Sequence, residues 1–260
     1  MPRVLIWDLP TRIFHWLLTI GFLISAAISV TADNDSPLFS AHMILGVVLG
    51  AMVLLRIVCG FVGTRYARFT SFLFSPLSLL KYVFGAVNGS EPRSIGHNVG
   101  SSYAVFAMLG LVLATAGTGM MISAGNEAAE ELHEIVSYSL MAVVAVHIVG
   151  VVWYSLRHRE NITLSMLTGR KESSTDDAIP SSHPIPGIVF LLFVSFLTIR
   201  LFQNYDRTTG TTFVSHYPSL SDDWTGRYGI DAEQQPHTRH GVPMPMSVSS
   251  HCIAKMATRC

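Results

Sequence analysis

Long apolar runs separated by short polar joints dominate the first two thirds of the chain. Four of them, residues 12–31, 40–62, 101–124 and 133–156, are each long enough to cross about 30 Å of hydrocarbon as a helix. A fifth, 186–203, is shorter and contains Arg200. Trp7-Asp8-Leu9-Pro10 precedes the first run, where Asp8 suits an N-cap and Pro10 a first helical turn, so that helix begins just before His15. The polar joint Asp33-Asn34-Asp35-Ser36-Pro37 is short and predicts antiparallel packing of spans one and two. Residues 70–86, with Phe72, Leu77, Leu80, Tyr82 and Phe84, are too interrupted to span, and they fit either an interfacial helix or a loop packed under the bundle. Residues 172–185 are rich in Ser, Thr, Asp and Pro and read as a linker. Beyond Phe202 no periodicity is sustained, so 204–260 reads as a polar, poorly ordered tail, a candidate partner-binding segment.

Composition makes this an integral membrane protein: half of its 260 residues are hydrophobic, 13% are charged and the mean hydropathy is +0.43. The zero net charge conceals an asymmetry. Arg3, Arg12, Arg65, Arg68, Lys81, Arg93, Arg157, Arg159, Arg170 and Lys171 lie on alternate connections, whereas the other two carry Asp33, Asp35, Glu127, Glu130 and Glu131. By the positive-inside rule the basic side, with the N-terminus, is cytoplasmic, and a fifth span places the tail outside. A removable leader ending at Val30-Thr31-Ala32 is the competing reading of span one. That apolar stretch exceeds the usual leader core of about 7–15 residues, and cleavage would discard His15. Three cysteines give no disulfide framework: Cys59 reads as a packing residue, and Cys252 and Cys260 either bridge or do nothing. No CxxCH, phosphate-cradling glycine loop or nucleic-acid signature occurs.

Four histidines change the picture. His133 and His147 are fourteen residues apart on span four, on nearly one face and separated by about 21 Å along the axis. The alternating spans put His15 and His147 at the cytoplasmic level and His42 and His133 at the outer level. Axial ligation of a haem needs two imidazoles from different helices at one depth, and the deduced depths provide that twice. Gly46 and Gly150 leave room for a macrocycle, or serve close helix packing. Arg56, fourteen residues after His42, returns to the cytoplasmic level, either as a propionate partner or as a snorkelling anchor. His97 reads as a polar loop residue, or as lining a quinone or propionate site. His158 reads as an interfacial cap, and His237 and His240 form a weak HxxH pair.

The ordered series of segments resembles the prokaryotic cytochrome b561 family, in the superfamily that includes the b-type cytochrome subunit of nickel–iron hydrogenases. Carrying it are Trp7-Asp8-Leu9-Pro10-Thr11-Arg12-Ile13-Phe14-His15-Trp16, His42-Met43-Ile44-Leu45-Gly46, Leu54-Leu55-Arg56, Tyr66-Ala67-Arg68-Phe69 and Gly96-His97-Asn98. Leu132-His133-Glu134, His147-Ile148-Val149-Gly150 and Met166-Leu167-Thr168-Gly169-Arg170-Lys171 continue it. Val99-Gly100 departs from the proline that relatives often have there.

The resemblance implies an all-α integral membrane fold: a four-helix transmembrane haem-binding bundle over 1–172, then a linker at 173–185, a fifth transmembrane helix at 186–203 and the tail. It implies two b haems held by His15, His42, His133 and His147, with quinone or quinol and a redox partner protein exchanging electrons. The setting is a bacterial cytoplasmic (inner) membrane, with lipid around the chain and a homodimer left open. An electron-transfer protein or quinone oxidoreductase is expected. A membrane-anchor cytochrome b subunit of a larger periplasmic oxidoreductase, such as a hydrogenase, is the alternative. A non-haem transporter or metal permease is a further one, although such proteins place polar groups at midplane, which these histidines avoid.

Overall fold

The computed structural model describes residues 2–33 and 36–205; the tail, with Cys252, Cys260, His237 and His240, lies outside the described residues. The five apolar runs are helices α1 (Leu9–Thr31), α2 (Pro37–Val62), α4 (Val99–Ser123), α5 (Ala129–His158) and α7 (Pro184–Gln203), each long and apolar enough to cross a membrane. Between them lie α3 (Pro76–Asn88) and α6 (Ile162–Thr168). Two three-residue strands complete the set, β1 (Arg3–Leu5) and β2 (Arg170–Glu172).

Local chemistry sets the helix ends. Asp8 caps α1 by accepting from the Thr11 amide at 2.9 Å, with Pro10 in the first turn. Asn98 does the same for α4 through the Ser101 amide at 2.7 Å. Helix α5 begins with Glu130 and Glu131 and ends with Arg157 and His158, a charge order that complements the helix dipole.

The 70–86 region resolves into a 3₁₀ turn (Phe69–Ser71) and helix α3, not a loop. Leu77, Leu80, Phe84 and Val87 form an exposed apolar row at helical spacing, the pattern of a helix lying along a membrane surface.

Helices α1 and α2 pack against each other, α4 bridges α2 and α5, and α7 lies on α1 and α2, with Phe14 and Phe190 edge to face at 6.3 Å. The main core gathers Ile44, Val48, Met52 and Val53 of α2 with Leu109 and Val112 of α4 and Leu140 of α5. At Gly50 an added Cβ would stand 2.9 Å from that of Ala116, so a small residue there permits the close approach of α2 to α4. No comparable packing joins α5 to α1 or α2. The two helices that carry His15 and His42 are therefore joined to the one that carries His133 and His147 mainly through α4.

One end of the bundle is closed by a polar cap. Strand β1 pairs antiparallel with β2, Val4 opposite Lys171, and the Ile6 and Trp7 amides both donate to the Gly169 carbonyl. Ile6, Trp7, Tyr66 and Ile179 form a small core beneath this pair. The basic connections gather here: Arg93 holds Glu160 through two hydrogen bonds of 3.1 Å, and the buried Lys171 donates to the Ser94 carbonyl at 2.6 Å.

Candidate functional site

At the end away from the cap, the second turns of α2 and α5 bring His42 and His133 face to face. Their ring centroids are 6.5 Å apart and their planes nearly perpendicular, at 82°. Two imidazoles each bound at about 2 Å to one metal through a ring nitrogen have centroids about 6 Å apart, so the observed spacing suits an axial pair. Both rings are held by their inner nitrogens. His42 Nδ1 lies 3.0 Å from both the Oγ and the carbonyl oxygen of Ser25, near the end of α1. His133 Nδ1 lies 2.9 Å from Thr118 Oγ1 on α4, whose own hydroxyl reaches the Ala114 and Thr115 carbonyls. Acceptors at Nδ1 place the proton there and leave the Nε2 lone pair for a metal.

At the cap end, His15 sits two turns into α1 and His147 three turns from the end of α5. The two are charge neighbours, and His15 Nδ1 is buried without a partner. His97 joins them. In the loop before α4 it is half-buried, packed against the rings of Trp7 (4.9 Å) and Phe72 (4.3 Å). Burial pushes its pKa down to about 3, with further lowering from the charges of Arg56, His147, His15 and Lys171.

Arg56 is 5% exposed, which rules out the snorkelling anchor. Its Nη2 donates to the Ala67 carbonyl at 2.9 Å, its guanidinium lies 5.3 Å from the Phe69 ring centre, and its Nη1 has no partner. His158 ends α5 and is half-buried beside the enclosed carboxylate of Glu91, with His158 Nε2 3.5 Å from Oε1.

The donor set fits a haem-type cofactor. His42 and His133 face each other from different helices, and a Cβ added at Gly46, one turn past His42, or at Gly150, three residues past His147, would meet nothing within 4 Å. Among the described residues no group of three or more His, Cys, Asp or Glu side chains gathers as in a bare metal site. Ser25 and Thr118 were not singled out by the sequence. The available signal was the hairpin offset: Ser25 lies seventeen residues before His42 and Thr118 fifteen before His133, each a hydroxyl returning to a histidine's depth.

Apolar spanning helices that bring histidines face to face are what a multi-pass membrane cytochrome of the b type, a protein of electron transfer, requires. Residues 6–169 match the family described as prokaryotic cytochrome b561, and the chain belongs to that family. It is also 25% identical over 214 residues to a protein of Bradyrhizobium diazoefficiens named "Probable Ni/Fe-hydrogenase B-type cytochrome subunit", covering 66% of this chain and 87% of that one. No solved structure matches the chain significantly. The permease alternative gives way to this membership.

Proposed function

We propose that the chain is a di-haem cytochrome b that carries electrons between the quinone pool and a redox partner protein across a bacterial cytoplasmic membrane. The observation that carries the reading is the facing pair of imidazoles His42 and His133, with His15 on α1 and His147 fourteen residues further along α5 supporting a second pair. A b-type haem, when bound, supplies a one-electron iron couple whose axial positions are both filled by histidine. His42 and His133 hold the outer group, their rings fixed by Ser25 and Thr118. His15 and His147 hold the inner one, and Arg56 is the cofactor-binding cation at that level. The levels are about 21 Å apart along α5, a spacing suited to moving charge across the bilayer. Bis-histidine ligation leaves no open position for oxygen, so single-electron shuttling is the chemistry these residues serve.

The basic cap supports a cytoplasmic N-terminus, because Arg3, Arg12, Arg65, Arg68 and Arg93 belong to it or to its connections. Residues 1–172 constitute the cytochrome domain, and α7 is a fifth span. The name of the Bradyrhizobium relative favours a second reading, in which the chain anchors a larger periplasmic oxidoreductase to the membrane.

A pyridine haemochrome assay and a reduced-minus-oxidised spectrum on purified protein test the proposal. Two non-covalent haems per chain are expected, and a short-chain quinol should reduce them. Folded protein without haem overturns the reading, and one haem per chain overturns its di-haem part. Stable co-purification with a periplasmic oxidoreductase from the native membrane decides for the anchor.

A further inference from the structure

A cleft of about 190 Å³ opens in the polar cap, between the end of α5, helix α6 and the paired strands β1 and β2. Five basic side chains line it: Arg3 of β1, Arg93 of the loop before α4, Arg159 at the end of α5, and Arg170 and Lys171 of β2. Against them stand two carboxylates, Glu160 and Glu172, so the cleft carries an excess of three positive charges. None of the four paired histidines lines it, nor does Arg56.

Both carboxylates are already engaged. Arg93 holds Glu160 through two hydrogen bonds of 3.1 Å, Lys171 Nζ lies 3.6 Å from the same side chain, and Arg3 lies 4.0 Å from Glu172. His158, also on the wall, has its Nε2 3.5 Å from Glu91. That leaves Arg159 and Arg170, whose guanidinium groups have no acid partner among the described residues. Gathering like charges around one cleft is unfavourable until an anion enters it. Arg159 adds a second sign. It occupies the left-handed C-cap of α5, at φ +52°, where glycine is the residue without penalty. An arginine in such a backbone position points to a use for its charge.

Two guanidinium groups carried by separate elements suit an anion that offers oxygens in several directions. A phosphate does so, whereas a carboxylate presents two coplanar oxygens that one guanidinium satisfies. The margin of the cleft is apolar: Leu164 of α6, which lines it, is exposed, as are Trp153 and Leu156 in the last turns of α5. Acyl chains attached to the phosphate would find these side chains beside it.

We propose that the cleft binds an anionic phosphate group through Arg159 and Arg170, the headgroup of an acidic phospholipid being the source that the apolar margin favours over phosphate free in solution.

Native mass spectrometry of the haem-loaded full chain, titrated in neutral detergent with phosphatidylglycerol and separately with phosphatidylcholine, tests the site. One phosphatidylglycerol per chain should be retained at concentrations where phosphatidylcholine is lost. R159Q/R170Q should weaken that binding roughly 25-fold, about fivefold for each charge removed, whereas R68Q/K81Q, which removes two exposed charges outside the cleft, should leave it unchanged. R159G separates binding from folding: it should lose about fivefold in affinity while its thermal midpoint in neutral detergent stays at or above that of the wild type, because glycine is at ease with a positive φ. A fall in that midpoint assigns Arg159 to folding and overturns its role in binding. Inorganic phosphate that raises the midpoint of the wild type but not of R159Q/R170Q, at constant ionic strength and without lipid selectivity, supports the site with soluble phosphate as its source. Equal losses in the two double variants reduce the effect to diffuse surface charge and overturn the site. No preference for phosphatidylglycerol together with no response to inorganic phosphate overturns it as well.

Discussion

Thr118→Val probes the outer histidine pair with the smallest possible change. Valine keeps the branched shape of threonine at a position only 6% exposed and removes one oxygen. That oxygen donates its hydrogen to the carbonyls of Ala114 and Thr115, at 2.9 and 3.0 Å, so toward His133 Nδ1, at 2.9 Å, it acts as acceptor. Accepting the Nδ1 proton makes the imidazole a more basic ligand, which favours the ferric over the ferrous ion. Losing a neutral hydrogen bond of about 1 kcal/mol weakens that preference. Since a tenfold change in a one-electron equilibrium is about 59 mV, the outer midpoint should rise by roughly 40 mV. The inner haem, whose ligand level is about 21 Å away along α5, should not move. A potentiometric titration fitted with two components measures both values, and Thr118→Ser, which keeps the hydroxyl, should behave as wild type. A downward shift, an equal shift of both components, or no shift with valine would refute the argument that Thr118 tunes His133.

Three other perturbations follow from the geometry. His147→Ala should lower the haemochrome yield from two haems to one and leave the outer component intact; equal loss of both would contradict the pairing of His147 with His15. Gly60→Ala should lower the thermal midpoint by an amount equivalent to about 1–3 kcal/mol, because the new Cβ would stand 2.3 Å from the Phe69 ring that lies against Arg56; an unchanged midpoint would mean that the ring is free to move. His97, pushed down to about 3 in the fold, stays neutral there while the unfolded chain protonates below about 6.5. The unfolded state then binds more protons, so stability should fall as pH drops from 7 to 5, by up to about 2 kcal/mol. His97→Leu should flatten that slope in denaturation followed at both pH values, and an unaltered slope would assign the acid sensitivity to other groups.

What could be read from the sequence was whatever repeats along a helix. Apolar runs located all five spans to within a few residues, and Asp8 and Pro10 marked where α1 starts, because capping is chemistry between near neighbours. The fourteen-residue interval in α5 fixed the two histidine levels for the same reason. The partners of those histidines were not readable: Ser25 reaches His42 across a helix hairpin, and a hydroxyl in a span has no periodic signature. Three-residue strands leave no alternation to detect, so the pairing of Arg3–Leu5 with Arg170–Glu172 was missed, and the cap with it. The packing of His97 was not readable either: its short loop is polar in sequence, and Trp7 and Phe72, which flank its ring, are distant along the chain.

The separation of α5 from α1 and α2 also orders events during synthesis. His15 and His42 leave the ribosome on an N-terminal hairpin, while their counterparts belong to a helix about one hundred residues later. At elongation rates of about 5–20 residues per second, that hairpin waits roughly 5–20 seconds with only half of each ligand set. Neither pair can close before the α4–α5 hairpin arrives. If these pairs hold the two haems proposed above, cofactor capture is a late step that locks two separately inserted halves together, and a chain stalled before His133 would present two lone histidines and no competent site.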